Sequence, residues 1–209
     1  WNDPAMKPFK DNFVAKFGES VLQPLEKDLG VQFNDYTNLA QGQITFAVTQ
    51  NGWPMVKGAQ PGMLFLLDAK DQSGKLEKNL ADLRKKWLEA GKTLRTEKIR
   101  NVDFSVLPIS PSDMPKSLRK FSGPDKETDT DEPTTNATKI EIYIGQSDSL
   151  LIVGNAAKPI EKVLVHLSGG DMPALGDLAS YDATRQTLFR DSLFYGWANT
   201  KSLLDLFSR

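Results

Sequence analysis

The chain contains no cysteine. Disulfides, zinc–thiolate sites, iron–sulfur clusters and thiol catalysis are excluded together. The compartment is left open, because a cysteine-free chain suits oxidising and reducing spaces alike. There is one histidine, His166. A single histidine cannot build a two-histidine metal site, and a Ser-His-Asp arrangement would have to run through it. No run of 18 apolar residues exists; the longest, residues 63–67 and 150–153, are far too short to span a bilayer. Charge of neither sign dominates: 26 Lys and Arg stand against 27 Asp and Glu, a net charge of −1. That balance argues against a dedicated nucleic-acid binder, which carries a basic excess. A signal peptide is also lacking, and the chain opens on Trp1 rather than Met. The expectation is a fragment, processed or recombinant, of a longer parent that carried any targeting signal.

What is present suits an ordinary core. The hydrophobic share is 39% over 209 residues, and a chain of that size buries ~70% of its unfolded surface. Phe9, Phe13, Val14, Phe17, Val21, Leu22, Leu25 and Leu29 recur at helical spacing, with Pro24 predicting a kink and Gly30 a stop. Ile44, Phe46 and Val48 alternate with Thr45, Ala47 and Thr49, which predicts a half-buried strand. The continuous apolar run 63–67 fits a central strand covered on both faces. Leu76, Leu80, Leu83 and Trp87 predict a helix over about 73–90, ended by Gly91. Strands follow at 93–100 and 102–106. Residues 110–138 hold Pro111, Pro115, Pro124 and Pro133 with many Ser, Thr and acidic residues, which reads as a mobile insertion. Ile140, Ile142 and Ile144 then alternate, and 150–153 return as a hairpin partner. Ile160, Val163, Leu164 and Leu167 make an amphipathic helix ended by Gly169 and Gly170. Residues 182–190 read as a helix, 193–198 as a strand, and 202–207 as the start of another helix.

An internal repeat runs through this pattern. LLDAK followed by LEKNL (66–70, 76–80) is echoed by IVGNAAKP and IEKVL (152–159, 160–164). Each copy passes from a buried strand, through Asp68 or Asn155, into a helix that either side chain is expected to cap. FYGWANTKSLLDL near the end is a truncated third echo. The expected fold class is α+β: a mostly antiparallel sheet of repeated strand-strand-helix units with helices largely on one face. The expected divisions are a first unit at 1–109, the insertion at 110–138 and a second unit at 139–209. The two units are expected to share one sheet, and the last is expected to continue past Arg209.

Each chemical motif meets a plainer reading. Gly91-Lys92-Thr93 resembles the end of a phosphate loop, but Lys86 stands where that motif needs glycine, and a helix end repels phosphate. Ser117 and Lys120 have the spacing of a Ser-x-x-Lys acyl-enzyme, without its partner motifs. They are the candidate catalytic pair. Asp129 and Asp131, within the acidic run of Asp125, Glu127 and Glu132, are the candidate metal ligands; the glycine and distal glutamate of a calcium loop are missing. Asn136-Ala-Thr138 matches a glycosylation acceptor, which matters only in a eukaryotic secreted protein. His166 has no carboxylate one turn away and reads as a surface histidine near a helix end. Seven cations between 84 and 100 (Arg84, Lys85, Lys86, Lys92, Arg95, Lys98 and Arg100) stand against two acids. They lack the interleaved aromatics of a single-strand binder and read as a solvated face. No cofactor is expected.

Leu39-Ala-Gln-Gly42-Gln43 before ITFAV, the strand and LEKNL helix, the hairpin KIEIYIGQSDSLLIVGN with its IEKVL helix, and residues 175–207 form one pattern. It resembles a group of exported bacterial proteins that share a domain of unknown function. The resemblance covers most of the chain outside 110–138, which departs from it. It implies export across a bacterial inner membrane and supplies no catalytic residues. The leading expectation is a non-enzymatic binding or scaffolding domain, periplasmic or at the cell envelope. Its expected partners are another envelope protein or other domains of the same parent chain, and not nucleic acid. A hydrolase using carboxylates or Ser117 and Lys120 would show an ordered pocket with a raised carboxylate pKa. A lipid or small-molecule carrier would show an apolar cavity between sheet and helices. An open apolar sheet face or a bare sheet edge would mark a protein-interaction domain.

Overall fold

The structure is a computed structural model that describes residues 35–36, 38–49, 62–109, 140–188, 192 and 195–200. The predicted helix around Phe9–Leu29, the insertion 110–138 and the predicted helix at 202–207 lie outside these residues.

The fold is α+β, as expected. Among the described residues, six antiparallel strands form one sheet in the order β1-β2-β6-β5-β4-β3. They are β1 (Ile44–Thr49), β2 (Gly62–Asp68), β3 (Arg95–Ile99), β4 (Val102–Ile109), β5 (Ile140–Ser147) and β6 (Leu150–Gly154). The helices are α1 (Ser73–Glu89), α2 (Ala157–Leu167) and α3 (Ala179–Leu188). Two hairpin-helix units, β1-β2-α1 and β5-β6-α2, meet where β2 pairs with β6, Leu66 opposite Ile152. The hairpin β3-β4 extends the sheet beyond β5. Ile109 lies opposite Ile140 at one end of the β4-β5 pair.

Two-residue loops set the register of the β3-β4 and β5-β6 hairpins. Arg100 and Asn101 join Ile99 to Val102, and Asp148 and Ser149 join Ser147 to Leu150. The first residue of each loop takes positive φ, +56° at Arg100 and +51° at Asp148. That conformation matches the twist of the strands that such a short loop must connect. Asp tolerates it more readily than Arg.

The helices depart from the expected one-sided arrangement, because the central strands are apolar on both faces. Leu67 and Leu151, with Leu107 and Ile109, pack beneath Leu76, Leu83 and Trp87 of α1. Leu64 and Ile152, with Phe104, Val106 and Tyr143, pack beneath Ile160 and Leu164 of α2. Alternate residues of a strand point to opposite faces, so α1 and α2 cover opposite sides of one sheet.

Two local expectations are corrected. Neither Asp68 nor Asn155 caps a helix. Asp68 Oδ1 accepts from the Lys70 amide at 3.0 Å and closes a tight turn. Asn155 Oδ1 accepts from the Met63 amide at 2.7 Å and extends the β2-β6 ladder by one bond. The third echo also lacks its strand: residues 195–199 carry none. Trp197 instead packs edge-on against Tyr181 of α3, with ring centroids 5.9 Å apart.

Candidate functional site

The two edges of the sheet differ in chemistry. At one edge, β3 reads Arg-Thr-Glu-Lys-Ile, and Arg95, Glu97 and Lys98 discourage pairing with another chain. At the other, β1 reads Ile-Thr-Phe-Ala-Val-Thr, without a charge or a proline. Ile44, Phe46 and Val48 are 50%, 68% and 52% exposed. They lie opposite Leu67, Phe65 and Met63, on the α1 face of the sheet. Phe65, Ile142, Ile144 and Val153 on that face are only half-buried, so the row continues inward as partly covered apolar surface. Ile44, Phe46 and Val48 are the residues that sequence reasoning misplaced. Their alternation predicts a buried side, yet Thr45, Ala47 and Thr49 are the better covered. Periodicity locates the apolar side of a strand; it does not tell whether a neighbour covers it.

Among the described residues, no strand lies beside the outer side of β1. The Asp68 amide donates to Gln43 O, and Met63 exchanges bonds with Asn155 on the β6 side. Alternation from both anchors turns the amides and carbonyls of Thr45 and Ala47 towards β2. Those of Ile44, Phe46 and Val48 turn outward, and among the described residues no strand pairs with them.

A shallow cleft of about 310 Å³ lies on the opposite, α2 face near the end of β2 and β6. Leu66, Leu150 and Leu167 form its apolar floor, and Gln43, Thr45, Asp68 and Ser149 its polar rim. Asp68 is held by its Lys70 amide bond and by Ser149 Oγ at 2.9 Å. These bonds hold its carboxyl below the ordinary range. Gly42 makes the arrangement possible: a Cβ there would collide with the Asp68 carboxylate. Sequence reasoning read Asp68 only as a cap. Gly42, just before the uncharged strand, was the available signal.

A charged network ties β3 to β5. Arg95 Nη2 donates to Glu97 at 2.6 Å, to Glu141 at 3.0 Å and to Tyr143 Oη at 3.1 Å. Tyr143 donates to Glu141 at 3.0 Å. The Arg95 guanidinium is the main reason that Glu141 titrates below its usual range. Burial, followed by the neighbouring Glu141, pushes Tyr143 up to about 12. A carboxylate saturated by arginine is a poor general acid. Asp68 and Glu141 both titrate below the ordinary carboxylate range.

The other candidates divide between places. Ser117, Lys120, Asp129, Asp131 and Asn136 lie outside the described residues. His166 is exposed near the end of α2, as expected. Gly91, at φ +70°, and Lys92 donate their amides to Leu88 O and Trp87 O, which makes this tripeptide the stop of α1. Several members of the basic group have partners: Arg84 bonds Thr96 at 2.7 Å, Lys85 pairs with Glu89, and Arg100 pairs with Glu161 at 3.3 Å. Among the described residues no group of three or more metal-binding side chains forms, and no helix is long and apolar enough to cross a membrane. Comparisons of the chain with protein-family models, with curated proteins and with solved structures find no match.

Proposed function

We propose that the chain is a non-enzymatic interaction domain of an exported bacterial protein, and that it binds extended polypeptide along β1. The observation that carries this reading is the apolar, uncharged edge at Ile44, Phe46 and Val48, which no strand among the described residues pairs, beside a charged edge at the far side of the sheet. Strand addition draws affinity from backbone hydrogen bonds and specificity from alternate side chains, and β1 offers both. Export rests on the sequence resemblance.

Two measurements test the reading. An apolar fluorescent dye is expected to bind the native protein, and Phe46→Lys is expected to abolish that signal while circular dichroism stays unchanged. Unchanged dye binding would remove β1 as the exposed surface. In a thermal-shift panel of metals, sugars, nucleotides and lipids, no compound is expected to act. A ligand at 100 times its dissociation constant adds ~2.7 kcal/mol, a rise of roughly 5–10 °C. A rise of that size would replace the interaction reading with a small-ligand one.

A further inference from the structure

We propose that residues 9–29, the amphipathic stretch outside the described residues, dock on the α1 face of the sheet beside α1 and cover Phe65, Ile144 and Val153. The inference goes beyond the interaction-domain reading. It concerns the inner part of that face and leaves the outer side of β1 free for an added strand.

The point where the chain enters the fold selects the face. Tyr36 and Leu39 are buried in the α1-side cluster with Leu67, Leu76 and Leu83. Tyr36 Oη donates to Asn79 O at 3.3 Å, and Asn79 Nδ2 donates to Asp35 O at 3.4 Å. Asp35 therefore starts against the flank of α1. The Gln41 and Gly42 amides then donate to Asp68 O, which leads the chain from α1 to the end of β2 and into β1. Entry thus lies on the β1-β2 side of α1. On that side Phe65 stands opposite Val153, and Val153 opposite Ile144. All three are only half-buried.

The segment before Asp35 fits this surface. Eight apolar residues from Phe9 to Leu29 recur at helical spacing. Such a stripe is marginal as an isolated helix in water and gains its stability by packing on an apolar partner. The six steps from Leu29 to Asp35 span at most ~20 Å. That tether holds the stripe near the row at a roughly millimolar effective concentration, an advantage that no separate partner shares. A helix packed beside α1 lies ~8–10 Å from its axis, about two strand spacings. α1 packs on Leu107 and Ile109 of β4 and on Leu151 of β6, so the added helix falls over β6 and β2. The opposite face is taken by α2 over Leu64 and Ile152.

Because the chain has no cysteine, a single nitroxide can be attached at Glu19→Cys, a position opposite the apolar stripe on a helical wheel. The test uses the whole chain with isotope-labelled Ile, Leu and Val methyl groups. The methyl signals of Ile144 and Val153 are expected to be lost, and to return when the nitroxide is reduced. Those of Ile160 and Leu164, on the α2 side, are expected to persist. Adding Phe13→Asp and Phe17→Asp is expected to restore Ile144 and Val153. No loss, equal loss on both faces, loss on the α2 side alone, or loss that survives the two aspartates would overturn the proposal. In a mixture, the nitroxide is carried only by chains without isotope. Ile144 and Val153 are then expected to keep their signals; their loss would make a second copy the occupant and overturn the proposal. The dye judges the interaction reading separately. A native protein that binds no dye would fell that reading and leave this one standing. Dye binding lost in Phe46→Lys would uphold that reading even where the nitroxide result overturns this one.

Discussion

Trp87→Ala is expected to destabilise the fold by about 3–5 kcal/mol, the range for emptying a buried large aromatic site. Trp87 is 2% exposed and packs with Leu76 and Leu83 of α1 and with Leu107, Ile109 and Leu151 of the sheet. It is the largest side chain in the layer that joins α1 to the strands. Domains are stable by only about 5–15 kcal/mol, so the loss removes much of the margin. For a chain of this length the melting temperature is expected to fall by roughly 6–20 °C. Scanning calorimetry measures this directly. A fall of a degree or two would mean that α1 is not held to the sheet through Trp87.

The second large effect belongs to the other face. Phe104 is fully buried, and Gly145 lies opposite it across the β4-β5 pair. A Cβ at Gly145 would come 2.6 Å from Phe104 Cδ1 and 2.7 Å from Cε1. Glycine stands there because the ring occupies the space that a side chain would fill. Gly145→Val is expected to cost about 2–3 kcal/mol through overpacking. Phe104→Ala alone is expected to cost about 3–5 kcal/mol through the cavity left behind. Together they are expected to cost less than the sum by about 0.5–3 kcal/mol, because the valine takes part of the emptied volume. Denaturant unfolding of the four proteins closes the cycle. Strict additivity would mean that the two residues do not compete for one space.

Much of the fold was legible because its signals are local. The alternation of Ile140, Ile142 and Ile144 marked β5. The spacing from Leu76 to Trp87 marked α1, which begins at Ser73 as expected. The unbroken apolar run in β2 announced a strand covered on both faces. That same run explains why the helices divide between the faces, a consequence the repeat concealed by suggesting two equivalent units. The roles of Asp68 and Asn155 were misread because a polar side chain between strand and helix can cap, close a turn or extend a ladder. Only tertiary placement chooses among these, and here the chosen partners are Lys70, Ser149 and Met63. Residues 193–198 read as a strand on propensity alone; of these, 195–198 carry none, and Trp197 packs on Tyr181 instead.

The candidate site was the least legible feature. Ile44, Phe46 and Val48 satisfy the pattern of a buried strand side, and nothing in one sequence tells which strand lies at a sheet edge. Strand order depends on long-range pairing, here of β2 with β6 some ninety residues apart in the chain. The motifs that stood out in sequence, Ser117 with Lys120 and Asp129 with Asp131, fall in the stretch between β4 and β5 outside the described residues. The cations around α1 carried less meaning than their number suggested, since Arg84, Lys85, Arg95 and Arg100 have polar or acidic partners nearby.

The central claim is that β1 presents an open edge. Amide hydrogen exchange of the dilute protein, resolved residue by residue, tests it most directly. Thr45 and Ala47, whose amides point to β2, are expected to exchange slowly. Ile44, Phe46 and Val48, whose amides point outward, are expected to exchange nearly as fast as free peptide. Equal protection of all five amides in dilute solution would contradict the claim, because the edge would then already be paired within the chain.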